Sequence, residues 1–88
     1  MKYRLTTNQI ASKVAGEMVI LNHKKGEYFG LDDVGVTVWE LLEQGPKTIQ
    51  ELCDMVTFQY EVKPATCMED IGGLIRELMA EKLVEECN

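Results

Sequence analysis

The chain has 88 residues, 45% of them hydrophobic and 27% charged, which predicts one soluble domain with a modest core over residues 1–88. The net charge of −6 argues against a nucleic-acid partner, because such binding depends on cations that neutralise phosphates. The sequence lacks a signal peptide and 18 consecutive apolar residues, so we expect a cytoplasmic protein with no membrane partner.

The strand signals come first in the chain. Residues 3–11 are predicted to be extended, with Leu5 and Ile10 as the main apolar side chains, and residues 13–16 to form a connection. Residues 18–21 (MVIL) are a continuous apolar run, which predicts a central strand that is covered on both faces.

A hairpin is the clearest β signal. Residues 22–26 (NHKKG) predict a turn with Gly26 at positive φ, and residues 27–31 (EYFGL) predict the returning strand. Side chains alternate along a strand. One face of the returning strand would therefore carry Phe29 and Leu31, and the other Tyr28 and Gly30.

Three helices are predicted after this hairpin. Asp32 or Asp33 would cap the first helix, and residues 44–46 (QGP) would end it. Thr48 and Glu51 form a capping box for the second helix. The third helix would run from about residue 65 to residue 81. The inward positions of the three helices follow helical spacing and are Val34, Val38, Trp39, Leu41 and Leu42, then Ile49, Leu52, Cys53, Val56 and Tyr60, then Ile71, Leu74, Ile75 and Leu78.

This order of elements predicts an α+β fold. We expect a winged-helix-like domain, with a three-stranded antiparallel sheet followed by three helices on one face. Residues 83–84 would end the chain as a short extended or frayed segment.

Residues of catalytic type are few and scattered. The three cysteines are far apart in sequence, and Cys53 and Cys67 are expected to pack as small reduced hydrophobes. The single histidine, His23, lies in the polar turn. The sequence has no phosphate-binding glycine motif and no metal-ligand cluster. We therefore predict a protein that is not an enzyme and uses no cofactor or metal.

The predicted hairpin leaves one strand edge bare. No later strand covers the far side of residues 27–31, and a bare edge can capture an extended peptide through main-chain hydrogen bonds. If the third helix crosses nearby, Asp70, Gly73 and Glu77 would share the helix face that walls a groove. Tyr28 and Leu74 would line its pocket. The two carboxylates would pair with a Lys or Arg of the peptide.

Gly72 and Gly73 lie inside the third helix, where each glycine costs about 1 kcal/mol relative to alanine. Two interpretations stay open. The pair permits close packing against a neighbouring element, or Gly73 makes room for an incoming backbone.

These motifs resemble those of the PqqD-like proteins, also called RiPP recognition elements. The likeness covers roughly residues 17–84, and it consists of the VILN strand, the basic turn ending in glycine, YFGLD before a helix with a buried Trp, TIQEL at residues 48–52, Tyr60-x-Val62, and DIxxLIxxL at residues 70–78. Residues 26–32 (GEYFGLD) and the chain length are most similar to the stand-alone member of lasso-peptide systems. The chain departs from the pattern at Lys82, where many relatives turn with glycine.

The resemblance implies that the chain binds the leader region of a ribosomally made precursor peptide by strand addition. By position, the receiving strand would be Tyr28, Phe29, Gly30 and Leu31, and the helix wall Asp70, Gly73, Leu74 and Glu77. Phe29 and Leu31 would serve mostly as core beneath the groove. The resemblance also implies a cysteine protease that removes the leader and a downstream ATP-dependent cyclase.

Other functions compete with this one. A winged-helix regulator would need a basic recognition helix, whereas the second helix carries Glu51 and Asp54. A chaperone for a quinone-cofactor precursor peptide, acting with a radical enzyme, is a further alternative. A small enzyme would need a nucleophile–base pair. The free edge also predicts a possible homodimer of the peptide-free protein.

Overall fold

The structure is a computed structural model that describes residues 1–7, 9–15 and 17–87. Its elements are β1 (Lys2–Leu5), β2 (Gln9–Val14), β3 (Glu17–Asn22), β4 (Glu27–Leu31), α1 (Asp33–Glu43), α2 (Ile49–Gln59), α3 (Pro64–Ala80) and β5 (Val84–Cys87). The predicted α+β fold, with a three-stranded antiparallel sheet and three helices, is confirmed. A second sheet, formed by β1 and β5, lies outside that prediction.

The three-stranded sheet has the order β2-β3-β4, with Ile20 opposite both Ala11 and Phe29. Met18 and Ile20 are buried, whereas Val19 and Leu21 are only half-buried. The prediction that β3 is covered on both faces is therefore wrong. The helices cover one face of this sheet, which we call the inner face, and leave the other, the outer face, toward solvent.

The N-terminal segment forms two strands that belong to different sheets, where one extended stretch was expected. β1 pairs with β5, so that Leu5 lies opposite Val84, and β2 pairs with β3. Leu83 and Val84 are buried and β5 follows as a paired strand, so Val84–Cys87 is extended and not frayed. A connection was predicted at residues 13–16. This prediction is wrong for Lys13 and Val14, because they form the end of β2. Gly16 lies outside the described residues.

The helix ends follow the predicted capping chemistry. Asp32 is the N-cap of α1, and its Oδ1 accepts a hydrogen bond of 2.8 Å from the Gly35 amide. The Thr48 hydroxyl accepts from the Glu51 amide at 3.0 Å, and the Glu51 carboxylate accepts from the Thr48 amide at 2.9 Å, which completes the capping box. Lys82 keeps the left-handed turn after α3, with φ of 61°, although it is not glycine.

The core joins the inner face of the sheet to the helices. Its largest fully buried side chains are Trp39, Ile20, Leu52, Ile71, Ile75, Leu78, Leu83, Val38 and Val56. Cys53 and Cys67 are buried there as predicted, and burial raises the pKa of the Cys53 thiol to about 11, which keeps it protonated at neutral pH. No helix in the described residues is long and apolar enough to span a bilayer.

Candidate functional site

The free edge of β4 is the first component of the candidate site. Within the described residues β4 pairs only with β3, and the C-terminal strand β5 pairs with β1 instead of filling the vacant side. The fold therefore leaves the predicted strand edge open.

The hairpin register shows which main-chain groups face that opening. Asn22 and Glu27 are partners on either side of the β3–β4 turn, and the Gly26 amide donates to the Asn22 carbonyl at 2.8 Å, so the main chain of Asn22 faces β4. Alternation then directs the main-chain groups of residues 18, 20 and 22 toward β4. Their partners on β4 include Phe29 and Leu31, so the amide and carbonyl groups of Tyr28 and Gly30 face outward.

Helix α3 supplies the second component. An open cleft of about 240 Å³ lies between the β4 end of the sheet and this helix. Its lining residues are Phe29, Gly30, Leu31, Asp32, Leu74 and Glu77. The structure thus brings one strand edge and one helix face together, as the groove prediction required.

Asn22 holds the two components in place. Its side chain is buried, and Nδ2 donates a hydrogen bond of 2.6 Å to the Glu81 carbonyl just after α3. Its Oδ1 accepts from the amides of Lys24 and Lys25 at 2.9 and 3.1 Å. Because buried polar groups are costly to leave unpaired, this side chain fixes the hairpin turn against the end of α3.

The basic turn adds a second attachment at the same place. Lys25 Nζ lies 3.8 Å from the Glu81 carboxylate and donates to the Ala80 carbonyl at 3.4 Å. A cation at a helix C-terminus is favoured by the helix dipole. We therefore attribute a structural role to Lys25, which holds the hairpin beside α3.

The cleft combines apolar and acidic surfaces. Leu31 is buried and Phe29 and Leu74 are half-buried, and all three pack against the core. The carboxylates of Asp32 and Glu77 lie among the lining residues, while Asp32 also accepts the α1 capping bond. A guest peptide with an apolar side chain next to a Lys or Arg matches this surface.

The structure divides the eight predicted site residues into two groups. The cleft contains Phe29, Gly30, Leu31, Leu74 and Glu77, but not Tyr28, Asp70 or Gly73. Tyr28 lines a different depression, on the outer face of the sheet, so it does not share a pocket with Leu74 as the sequence suggested.

Two residues of the cleft region had been given other roles. Asp32 was predicted only as a possible helix cap, although its position next to Leu31 could have indicated the cleft. Asn22 was assigned to the turn, and its bond to Glu81 spans 59 residues, a contact that no local pattern contains.

Of the glycine pair in α3, Gly72 is buried and Gly73 is half-buried. A Cβ at Gly72 would meet only the Arg76 guanidinium, at 3.5 Å, and one at Gly73 only the same group, at 3.8 Å. These are ordinary contacts with a flexible side chain. Close packing against another element therefore does not account for either glycine.

One known protein family covers most of the chain. The model of the family "Coenzyme PQQ synthesis protein D (PqqD)" matches residues 17–84. The chain matches none of the curated proteins. It is 32% identical to the TbiB1 chain in the structure of TbiB1 in complex with the TbiA(beta) leader peptide, with a TM-score of 0.86 over 97% of this chain and 98% of that one.

Two further structures share the fold at 23% identity. One is a lasso peptide synthetase B1 complexed with its leader peptide, with a TM-score of 0.85 over 98% of this chain and 100% of that one. The other is the NMR structure of the PqqD truncation of Methylobacterium extorquens PqqCD, a stand-alone RiPP recognition element. Its TM-score is 0.79, over 97% of this chain and 89% of that one. The predicted resemblance is confirmed, and the chain belongs to the PqqD family.

Proposed function

We propose that this protein binds the leader region of a ribosomally synthesised precursor peptide and presents it to a processing enzyme. The leader adds as a fourth strand to the free edge of β4, beside α3. The observation that carries the proposal is this vacant edge, which lies within a cleft that a helix walls.

The composition of the edge supports a binding role. Natural proteins usually protect exposed strand edges with charges, prolines or bulges. Residues 28–31 of this edge include no charged residue and no proline. The outward main-chain groups of Tyr28 and Gly30 are available to a guest strand, and each hydrogen bond contributes only about 0.5–1.5 kcal/mol.

Side-chain pockets supply the remaining affinity. Inward side chains of the leader enter the cleft between β4 and Leu74, and a basic residue pairs with Glu77 or Asp32. We retain Asp70 and Gly73 in the proposed site because they share the helix face of Glu77. The expected affinity is nanomolar to micromolar, or about −8 to −12 kcal/mol.

Related complexes suggest the pathway. TbiB1 and the lasso peptide synthetase B1 were solved with leader peptides, so we assign this chain to lasso-peptide biosynthesis. Its partners would be a leader-cleaving cysteine protease and a downstream cyclase. Its own role is to recognise the peptide, without catalysis.

A pair of proline variants tests the function. Tyr28→Pro removes an outward amide of β4, and Lys13→Pro removes an outward amide of β2, the opposite edge of the sheet. With the TbiA(beta) leader as the probe, Tyr28→Pro should weaken binding about tenfold or more in titration calorimetry, and Lys13→Pro should not.

Hydrogen exchange of the wild-type protein provides the second measurement. The leader should protect the amides of Tyr28 and Gly30 and leave those of Ala11 and Lys13 unchanged. Equal effects of the two proline variants in folded protein, or protection confined to β2, would contradict strand addition at β4.

A further inference from the structure

The outer face of the three-stranded sheet is apolar and open. A depression of about 390 Å³ on this face is lined by Ile10, Ser12, Val14, Val19, Leu21 and Tyr28. None of these side chains is charged, although the chain as a whole has a net charge of −6. Tyr28 is 73% exposed, Val14 59% and Ile10 48%. This surface differs in chemistry from the acidic cleft on the inner side of β4.

The apolar face reaches the free edge through β4. Tyr28 lies opposite Leu21, and Gly30 lies opposite Val19, so both β4 residues belong to the outer face. A guest strand paired with β4 must direct alternate side chains to this side, because strand side chains alternate between faces. Strand addition therefore extends the outer face by one more row of side chains.

Gly30 leaves a gap in that row. Its φ is not in the left-handed region, so the backbone does not require glycine. A Cβ built at this position meets no atom within 4 Å, so packing does not require glycine either. The fold of the free protein thus gives no reason for glycine, and the missing side chain leaves space next to Tyr28 and Val19.

We propose that this gap is a specificity subsite for the leader. The inference rests on the proposed strand addition and specifies which peptides the edge accepts. The guest residue that pairs with Gly30 places a large apolar side chain across the glycine, against Val19 and Tyr28. Cross-strand contacts of this kind are the unit of sheet stabilisation, and covering a strand glycine with a large neighbour is a known way to stabilise it.

The ligand class follows from the two faces. The leader segment is an extended amphipathic peptide, with large apolar side chains toward the outer face. Its inward side chains are apolar or basic, to suit Leu74 and Glu77. A peptide with polar residues on both faces would form the same main-chain hydrogen bonds and bind weakly.

Selection from a random library tests the subsite. A library of random dodecapeptides is selected by mRNA display against the wild-type protein and against Gly30→Val. Valine fills the gap but keeps the backbone amide. Wild-type protein should select a large apolar residue opposite Gly30, identified by nuclear Overhauser contacts to the glycine Cα protons. Gly30→Val should select a smaller residue at that position alone.

Affinities of one selected peptide complete the test. Replacing its Gly30-paired residue with alanine should weaken binding to the wild type about tenfold, and Gly30→Val should weaken binding of the parent peptide by a similar factor. The alanine peptide should bind both proteins equally. Because the peptide change needs no protein variant, it remains decisive if Gly30→Val fails to fold.

The two proposals fail in different ways. Selected peptides that protect β4 amides but tolerate any residue opposite Gly30 would overturn the subsite and leave strand addition intact. Peptides that bind without protecting β4 amides would overturn both. If the protein self-associates through Tyr28 and stays associated at saturating peptide, a second copy of the chain covers the outer face. That result would overturn the subsite.

Discussion

The two edges of the three-stranded sheet have the same backbone chemistry but different surroundings. Within the described residues, β2 and β4 each pair only with β3. On β2, Lys13 extends to Glu40 of α1, with 3.7 Å between the charged groups. On β4, the central residues are uncharged and a cleft separates the strand from Leu74 and Glu77 of α3.

This difference is the reason why we place the guest strand at β4 and not at β2. Main-chain hydrogen bonds are modest in net energy and carry little sequence information. A helix wall adds pockets that contact guest side chains, and a charged edge residue discourages strand pairing. We therefore expect changes at the β4 edge to alter peptide binding and matched changes at the β2 edge to leave it unaltered.

The largest effect is expected from Asn22→Ala, which removes the attachment between the hairpin and α3. The Glu81 carbonyl and the amides of Lys24 and Lys25 would lose their partner, at a cost of about 1–3 kcal/mol in unfolding free energy. Denaturant unfolding of the wild type and of Asn22→Ala measures this loss of unfolding free energy. The matched control is Gln9→Ala on β2, which removes one side-chain bond to the Thr6 carbonyl; an equal loss there would mean that Asn22 has no special role.

Leu74→Ala should come next and should act on binding. The change removes apolar surface from the α3 wall, and losing about 1.4 kcal/mol of contact would weaken a leader about tenfold. The control is Thr37→Ala, because the half-buried Thr37 lies with Lys13 around a cavity on the β2 side. If calorimetry shows that both variants lose leader affinity equally, β4 is not distinguished from β2 as the binding edge.

Charge reversal should give a smaller effect that depends on salt. Glu77→Lys should weaken the binding of a leader with a basic residue several-fold at low ionic strength. Asp70→Lys should weaken it less, because Glu77 lines the cleft and Asp70 does not. Glu40→Lys, beside β2, is the control. Tighter binding by Glu77→Lys would instead assign an acidic leader residue to this position.

Gly73→Ala should have the smallest effect on the free protein and distinguishes the roles of the glycine pair. Alanine fits at this position, so the unfolding free energy should rise by up to about 1 kcal/mol. If Gly73 admits a guest backbone, leader affinity should fall although stability rises. Gly72→Ala, which also fits, should raise stability without changing affinity, and parallel behaviour of the two variants would remove that role from Gly73.

Local patterns in the sequence predicted much of the fold. The apolar run of β3, the turn with Gly26 at positive φ and the capping residues Asp32 and Thr48 depend on interactions within a few residues of the chain. The spacing of apolar residues placed the helix cores. The same patterns could not predict that β1 and β5 form a separate sheet, because the pairing of Leu5 with Val84 joins opposite ends of the chain.

The candidate site shows the same division. The sequence by itself determined a strand with an uncharged centre and a helix with an acidic face. It also determined that no strand follows β4 closely enough to pair with it through a short turn. Only the tertiary structure decided that α3 lies beside β4, through Asn22 and Glu81, and that it lies on the face of Phe29 and Leu31, away from Tyr28. The physical reason is range: alternation and capping are set by neighbours in sequence, whereas a cleft is set by contacts between distant segments.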